Sequence, residues 1–375
     1  MLSFKTELKL NNKQQSLMAQ HGGCARFAWN WGVALTQEIL DYNRNNPENK
    51  QKFPTAIDLH KRFVAEVKSV NEWLSESSKC APQQALRDLR IAWDRCFKKI
   101  AKSPKFKKKG VKDGFYLEGS IKVESNRIKL PVIGWVKTYE QLPTGGIKSV
   151  RITRKADRWF IAFKIDDVEV HPTIKQREAI GVDLGIKSLA VCSDRTVFKN
   201  AKAYRKLKRK LAHVQRAVSR KAQGSNNRKK AVKVLARVHY IISCIRNDTI
   251  HKLTSWLAKN HSVIVLEDLN VSGMLRNHRL ANAIADAGLY ECRRQLEYKT
   301  QLYGSKLIMA DRWFPSSQLC SHCGNQQKMP LSERTYHCQK CRTQIDRDLN
   351  AAINLESLAV SSTVNACGES HKPLA

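Results

Sequence analysis

The stretch that most constrains this chain is Ala179–Asp194, AIGVDLGIKSLAVCSD, because it sets a single carboxylate, Asp183, inside an apolar run. Ile180 and Val182 before the acid, and Leu184, Ile186, Leu189, Ala190 and Val191 after it, suit a hairpin of two strands in a sheet interior. Gly181 and Gly185 flank the acid, and without a Cβ each lets another backbone or a phosphate come close. A carboxylate in such a strand is costly unless something pairs with it. Hydrogen bonds from a neighbouring loop or a bound cation would both satisfy it, and the segment alone leaves the two open.

Two later segments offer acids in comparable places. Ser262–Leu269, SVIVLEDL, is a second hydrophobic strand that ends in Glu267 and Asp268. Asp346–Leu355, DRDLNAAINL, puts Asp346 and Asp348 at the start of a helix whose Ala351, Ala352 and Leu355 can pack closely on a sheet. An acid within a strand, one at a strand end and one at a helix start can meet at one edge of a mixed sheet. Hard divalent cations, above all Mg²⁺, take oxygen ligands of this kind. Two such ions about 4 Å apart can activate a water and stabilise the leaving oxygen in phosphodiester cleavage.

Cysteines supply the second chemical signal. There are 11, an odd count in a long chain, which argues against a disulfide framework and for reduced thiols. Seven are scattered, while Cys320-x-x-Cys323 and Cys338-x-x-Cys341 have the knuckle spacing of a zinc ribbon. A C-x-x-C turn presents two thiolates to one ion, and four thiolates complete a tetrahedral Zn²⁺ site with no open position for water, so this zinc is expected to be structural. His322 and His337 are alternative ligands, and a redox dithiol would explain one pair but not two. Lying between the strand KLIMAD (306–311) and the last acids, the ribbon reads as an insertion.

The formal charge of +34, from 67 Lys and Arg against 33 Asp and Glu, is spread along all 375 residues. Such self-repulsion implies a polyanionic partner. Ala203–Ala222 and Asn227–Asn260 read as two long basic helices broken at 224–226, with Leu207, Leu211, Val214 and Val218 forming an apolar stripe opposite the charges. An ordinary solvent face mixes signs; this one does not, and suits the backbone of an RNA or an RNA–DNA hybrid. No apolar run approaches the roughly 20 residues of a spanning helix, and no signal sequence opens the chain, so a cytoplasmic protein is expected.

Earlier in the chain, Ser3–Leu10 alternates as a first strand. Helical spacing follows near 15–42, 55–74 and 82–100, where Trp29, Trp31 and Trp93 read as core anchors. PKFKKKG (104–110) marks a boundary, and short runs separated by turn residues from Gly114 to Asp167 read as a small β-barrel. Ser316, Ser317 and Gln318, ahead of the ribbon, are candidates to meet a nucleic-acid strand, while Asn277 and His278 border the acids as polar candidates. Ser361–Ala375 has little apolar content and is expected to be disordered.

In their order, GVDLG, LEDLN, C-x-x-C…C-x-x-C and DRDLNAAINL make the chain resemble the TnpB (OrfB) proteins of insertion sequences, relatives of the type V CRISPR effector nucleases. KTEL, PKFKKKG, GSNNRKKAVKVLARVH and PSSQLCSHCG extend the resemblance over nearly the whole sequence. It implies an RNA-guided DNA endonuclease with a RuvC-type, RNase H-like catalytic domain. It also implies Mg²⁺ at a triad of Asp183, Glu267 and Asp348, choosing these over Asp268 and Asp346. The implied partners are a guide RNA derived from the transposon end and double-stranded target DNA with a short adjacent motif. The implied fold is multi-domain α+β: a β-barrel wedge-like domain (1–10 and 104–175), a helical recognition lobe (11–103), a RuvC-like nuclease domain (176–313 and 345–362), an inserted zinc ribbon (314–344) and a disordered tail (363–375). A guide-dependent binder without cleavage, and a transposase acting directly on transposon ends, are the competing readings.

Overall fold

The computed structural model describes residues 2–143, 145–165, 172–175, 177–330 and 332–366. The chain divides into two compact units, Met1–Val168 and Glu169–Ala375. Each combines helices with β-sheet, a mixed α/β architecture.

The first unit comprises β1 (Leu2–Lys9), α1 (Asn12–Asn45), α2 (Ala56–Arg62), α3 (Cys80–Phe97), β2 (Gly114–Glu118), β3 (Lys122–Glu124), β4 (Arg127–Leu130), β5 (Gly134–Thr138), β6 (Ser149–Lys155) and β7 (Arg158–Ile165). Asn11 starts α1 with a reciprocal capping box: its side chain accepts the Gln14 N–H at 2.8 Å while the Gln14 side chain accepts the Asn11 N–H at 3.1 Å. The seven strands form one antiparallel sheet in the order β2-β6-β7-β1-β5-β4-β3. In it β1 pairs with β7 through Leu2–Glu7 and then with β5 through Leu8 and Lys9. The helices do not keep a core of their own. Leu86, Leu89 and Trp93 of α3 share one apolar cluster with Phe115, Leu117, Ile128, Ile152 and Ile161 of the sheet. The stretches expected as separate wedge and recognition domains are therefore fused by a common interior. Trp29 and Trp93 are buried in it and Trp31 packs at its margin.

The second unit comprises β8 (Arg177–Leu184), β9 (Ser188–Cys192), β10 (Val197–Lys199), α4 (Ala203–Ser219), α5 (Asn226–Asn260), β11 (His261–Glu267), α6 (Val271–Met274), α7 (Ala281–Ala287), α8 (Leu289–Tyr303), β12 (Lys306–Ala310), β13 (Thr335–His337), β14 (Gln344–Asp346) and α9 (Arg347–Ala366). Its main sheet has the order β10-β9-β8-β11-β12. The three strands β8, β11 and β12 are parallel, and β9 and β10 are added antiparallel. Parallel strands covered on both faces are apolar throughout. Ile250, Leu253 and Leu257 of α5 and Leu296 of α8 pack with Ile180, Val182, Ile264 and Leu266. Leu355 and Ala359 of α9 pack with Val265 and Ala310.

The basic pair α4 and α5 buries Leu211 and Val214 against Val238 and Ile242. Arg205, Lys206, Lys208, Arg209, Lys210, Arg216 and Arg220 stay exposed, so the one-signed face expected from the sequence points to solvent. The helix α9 continues to Ala366, past the start of the tail expected to be disordered, by six residues if that tail begins at Ser361 and by four if it begins at residue 363. Residues 367–375 lie outside those described. Among the described residues no helix is long and apolar enough to cross a membrane.

Candidate active site and metal centre

The sheet register brings the first two acids side by side. In the parallel pair β8/β11, Val182 is opposite Leu266. The next residues, Asp183 and Glu267, therefore stand at neighbouring C-terminal strand ends. The third acid arrives on α9, which lies directly on β8. A Cβ on Gly181 would fall 1.9 Å from the Ala352 carbonyl oxygen and 2.5 Å from the Glu356 nitrogen, so the helix and strand backbones touch where only glycine leaves room.

At the start of α9 the two aspartates have different work. Asp346 Oδ1 accepts the N–H groups of Asp348 and Leu349 at 3.0 and 3.1 Å. This is the bonding of an N-cap, and it occupies Asp346 locally. The Asp348 carboxylate lies 3.7 Å from Arg347 Nε and 3.9 Å from Arg334 Nη1. Asp183 and Asp348 line one cleft of about 750 Å³, whose wall also carries Lys202, Arg205, Lys208 and Arg334.

The acids of the second strand end are separated in the same way. Asp268 is held at 2.6 Å by both Arg312 and Arg293. These hydrogen bonds, Arg312 first, keep its carboxyl below the usual range. Glu267 instead accepts from the Ser316 hydroxyl.

Asp183 is the most perturbed acid of the site. Burial first, and then the negative charges of Glu267 and Asp348, push its carboxyl up to about 8. The three carboxylates share one end of the sheet, and Glu267 and Asp348 act on Asp183 electrostatically, but they are not gathered within 4.8 Å as a set. Among the described residues, only Cys320, Cys323, Cys338 and Cys341 form such a group. A cluster of oxygen donors whose like charges raise the pKa of the central member fits a hard divalent cation, which would relieve that repulsion.

The cysteine group can hold a metal ion. Cys320 and Cys341 Sγ are 3.6 Å apart, as are Cys323 and Cys338 Sγ. A tetrahedral ion with 2.3 Å bonds requires sulfur separations of about 3.8 Å. Hydrogen bonding by Thr343 holds the Cys341 thiol down to about 6, while Cys323, despite the Asn325 backbone hydrogen bond, is pushed up to about 12 by desolvation and by the other three cysteines, a repulsion that a bound cation would relieve. His322 and His337 are exposed and outside the group. Tyr336 fills the interior of this small fold, and its hydroxyl donates to the carbonyls of Gln318 and Asn325 at 3.1 and 3.2 Å.

Three residues escaped the sequence reading in their roles. Ser316, a candidate for meeting nucleic acid, is 3 % exposed and turned inward to Glu267. Asn350 and Asn354 of α9 are buried and bond to the loop before the ribbon. Their i, i+4 spacing in NAAIN was the available signal. Asn277 and His278 are exposed.

These features define an α/β protein with three acids at one end of its parallel sheet and a separate group of four cysteines that could hold a metal ion. The family model described as "Probable transposase" matches residues 160–278, "Cas12f1-like, TNB domain" matches 290–355 and "Helix-turn-helix domain" matches 1–45. In the last region the chain forms a strand and one uninterrupted 34-residue helix rather than two helices. The chain is 34 % identical to the Escherichia coli K12 protein "Putative RNA-guided DNA endonuclease InsQ", over 98 % of this chain and 94 % of that one. It is also 34 % identical to a Streptomyces pristinaespiralis protein named "Putative RNA-guided DNA endonuclease", over 99 % and 92 %. Its fold resembles the protein in "Cryo-EM structure of the Cas12f1-sgRNA-target DNA complex", with TM-score 0.51 and 14 % identity over 92 % of this chain and 83 % of that one. The chain belongs to the TnpB (OrfB) family of insertion-sequence proteins.

Proposed function

We propose that the protein is an RNA-guided DNA endonuclease of an insertion sequence, hydrolysing phosphodiester bonds of double-stranded target DNA at a RuvC-type site built from Asp183, Glu267 and Asp348. The observation that carries this reading is the central acid: Asp183 lies beside Glu267 in register and is pushed up to about 8 by burial and then by the charges of Glu267, Asp348 and, least, Asp346. A sheet of order β10-β9-β8-β11-β12, with three parallel strands and an antiparallel hairpin, supports an RNase H-like catalytic domain. The relatives, which are named as RNA-guided DNA endonucleases and match nearly end to end, support the guide dependence.

Mg²⁺, if bound here, would supply activation of the attacking water and charge neutralisation at the leaving oxygen. The carboxylates of residues 183, 267 and 348 would hold it. Asp346 and Asp268 stay outside, the first as a helix cap and the second as the partner of two arginines. Lys202, Arg205 and Lys208 on the cleft wall present cations to the phosphates of the strand being cut. The exposed basic face of α4 contacts backbone without reading sequence, which base pairing to the guide does instead. The seven-stranded sheet, read as a barrel-like wedge, and the helices fused to it take the RNA scaffold and the short target-adjacent motif. The four thiolates hold a structural Zn²⁺.

The transposase reading keeps one support, the description of the matching family model. A strand-transfer product formed without any RNA would favour it. The direct test uses purified protein with its cognate guide and Mg²⁺. Asp183→Ala or Glu267→Ala should abolish cutting while guide and target binding persist. Undiminished cutting by Asp183→Ala would rule out the assigned site.

A further inference from the structure

We infer that Ser316 is a positioning residue that fixes the Glu267 carboxylate and ties it to α9, the helix that carries Asp348. The inference rests on the catalytic role proposed above for these two acids.

Ser316 lies between β12 and the first ribbon cysteine and is 3 % exposed. Its hydroxyl donates to Glu267 Oε1. Its own carbonyl accepts from Asn354 Nδ2 at 2.7 Å. The same Asn354 amide also donates to the Leu319 carbonyl at 2.7 Å, and Asn350 Nδ2 reaches that carbonyl at 2.7 Å too. Asn350 Oδ1 accepts the Ser321 N–H at 3.0 Å, which anchors the residue after Cys320. Between these anchors the loop is a tight turn, with the Gln318 and Leu319 N–H groups bonded to the Pro315 carbonyl at 2.9 and 3.0 Å.

Asn350 and Asn354 are 0 % and 3 % exposed. They are one helical turn apart, so both face the loop from the same side of α9. Buried amides with several partners are rigid fixtures, because losing any one bond leaves an unsatisfied polar group. The hydroxyl that meets Glu267 is thus held by the helix whose first turn presents Asp348. Among the described residues, the Ser316 hydroxyl is the side-chain hydrogen-bond partner of Glu267. Ser316 converts the distance between the strand acid and the helix acid into a property of one hydrogen-bonded unit. Glu267 is in turn, among the described residues, the partner of the Ser316 hydroxyl, a bond that alanine could not make.

Outer-shell partners of metal-binding carboxylates typically matter by about 10- to 100-fold in metal affinity or activity. The test uses the full chain with its guide RNA on a target made uncleavable at the scissile bond. Mn²⁺ binding is followed by electron paramagnetic resonance, and the site-specific part is the signal that Glu267→Ala abolishes. Cleavage of a normal target against Mg²⁺ concentration is measured in parallel.

Ser316→Ala should weaken the Glu267-dependent Mn²⁺ binding roughly 10-fold and shift the Mg²⁺ requirement for cutting by a similar factor, with target binding unchanged. Ser316→Cys, a poor donor, should do the same, and melting temperatures of both variants are measured alongside so that the metal shift is read in folded protein. On a Glu267→Ala background, Ser316→Ala should change the remaining total Mn²⁺ binding no further. Wild-type metal dependence in Ser316→Cys overturns the inference. So does a loss that persists undiminished on the Glu267→Ala background, because Ser316 would then act through something else. If Glu267→Ala itself cuts normally, it is the proposed active site that fails, a result distinct from either.

Discussion

Replacing Gly181 by alanine tests the placement of the site through a residue that bears no chemistry. An added Cβ would stand 1.9 Å from the Ala352 oxygen and 2.5 Å from the Glu356 nitrogen, both backbone atoms of α9. No rotamer change can relieve contacts between main chains. To reach the 3.0 Å below which real Cβ contacts essentially do not occur, the helix must withdraw by about 1 Å. Overpacking of this kind costs roughly 3 kcal/mol, the upper end of its usual range. For a unit of this size that corresponds to a melting temperature lower by roughly 6–12 °C. Asp348 rides on the displaced helix, and a misplacement of about 1 Å at a reacting centre costs on the order of 100-fold in rate. The assay pairs thermal melting with single-turnover cleavage of a guide-matched target, using Gly146→Ala as control, since nothing lies within 4 Å of a Cβ there. Gly181→Ala protein that melts and cuts like wild type would refute the contact between α9 and β8, and with it the route that delivers Asp348.

Two further outcomes follow from the site. With no divalent ion present, the Asp183 carboxyl at about 8 keeps a proton that an unfolded aspartate loses near pH 4, so raising the pH from about 4 to 8 should lower folded-state stability; melting in Mg²⁺-free buffer checks this, and an unchanged slope in Asp183→Asn would count against it. Replacing Cys320 and Cys338 together by serine should lower both bound zinc, measured by elemental analysis, and thermal stability; unchanged metal content would show that the four thiols do not form the centre.

What could be read from the sequence was local. The apolar run around Asp183 announced a hairpin, and the break near Gly224 separated α4 from α5, because alternation, helical stripes and turn residues act over a few neighbours. The glycine beside Asp183 even signalled a close backbone approach, although not whose backbone it would be. Cysteine spacing likewise announced a four-thiol cluster, since ligand geometry imposes it directly.

Non-local choices were hidden. Two acids stand at the head of α9 and two at the end of β11, and spacing does not rank them. Their surroundings differ: Asp346 caps two helix N–H groups through Oδ1, and Asp268 is paired with two arginines. Ser316 read as a surface residue because nothing in PSSQL reveals that Asn354, 38 positions later, pulls the loop inward. The common core of α3 and the seven-stranded sheet was equally invisible. Each element's own pattern shows that it has an apolar face, not which face it meets.

The central claim is that Asp183, Glu267 and Asp348 share divalent metal. The most direct measurement is anomalous scattering from Mn²⁺ in crystals of the protein bound to guide RNA and uncleaved target DNA. The account predicts Mn²⁺ peaks, about 4 Å apart if two ions bind, bonded to oxygens of these three residues, with Asp346 still capping α9 and Asp268 still between Arg293 and Arg312. Manganese on Asp268 or Asp346 in place of Glu267 or Asp348, or no manganese at this end of the sheet in a complex that still cuts, would contradict it.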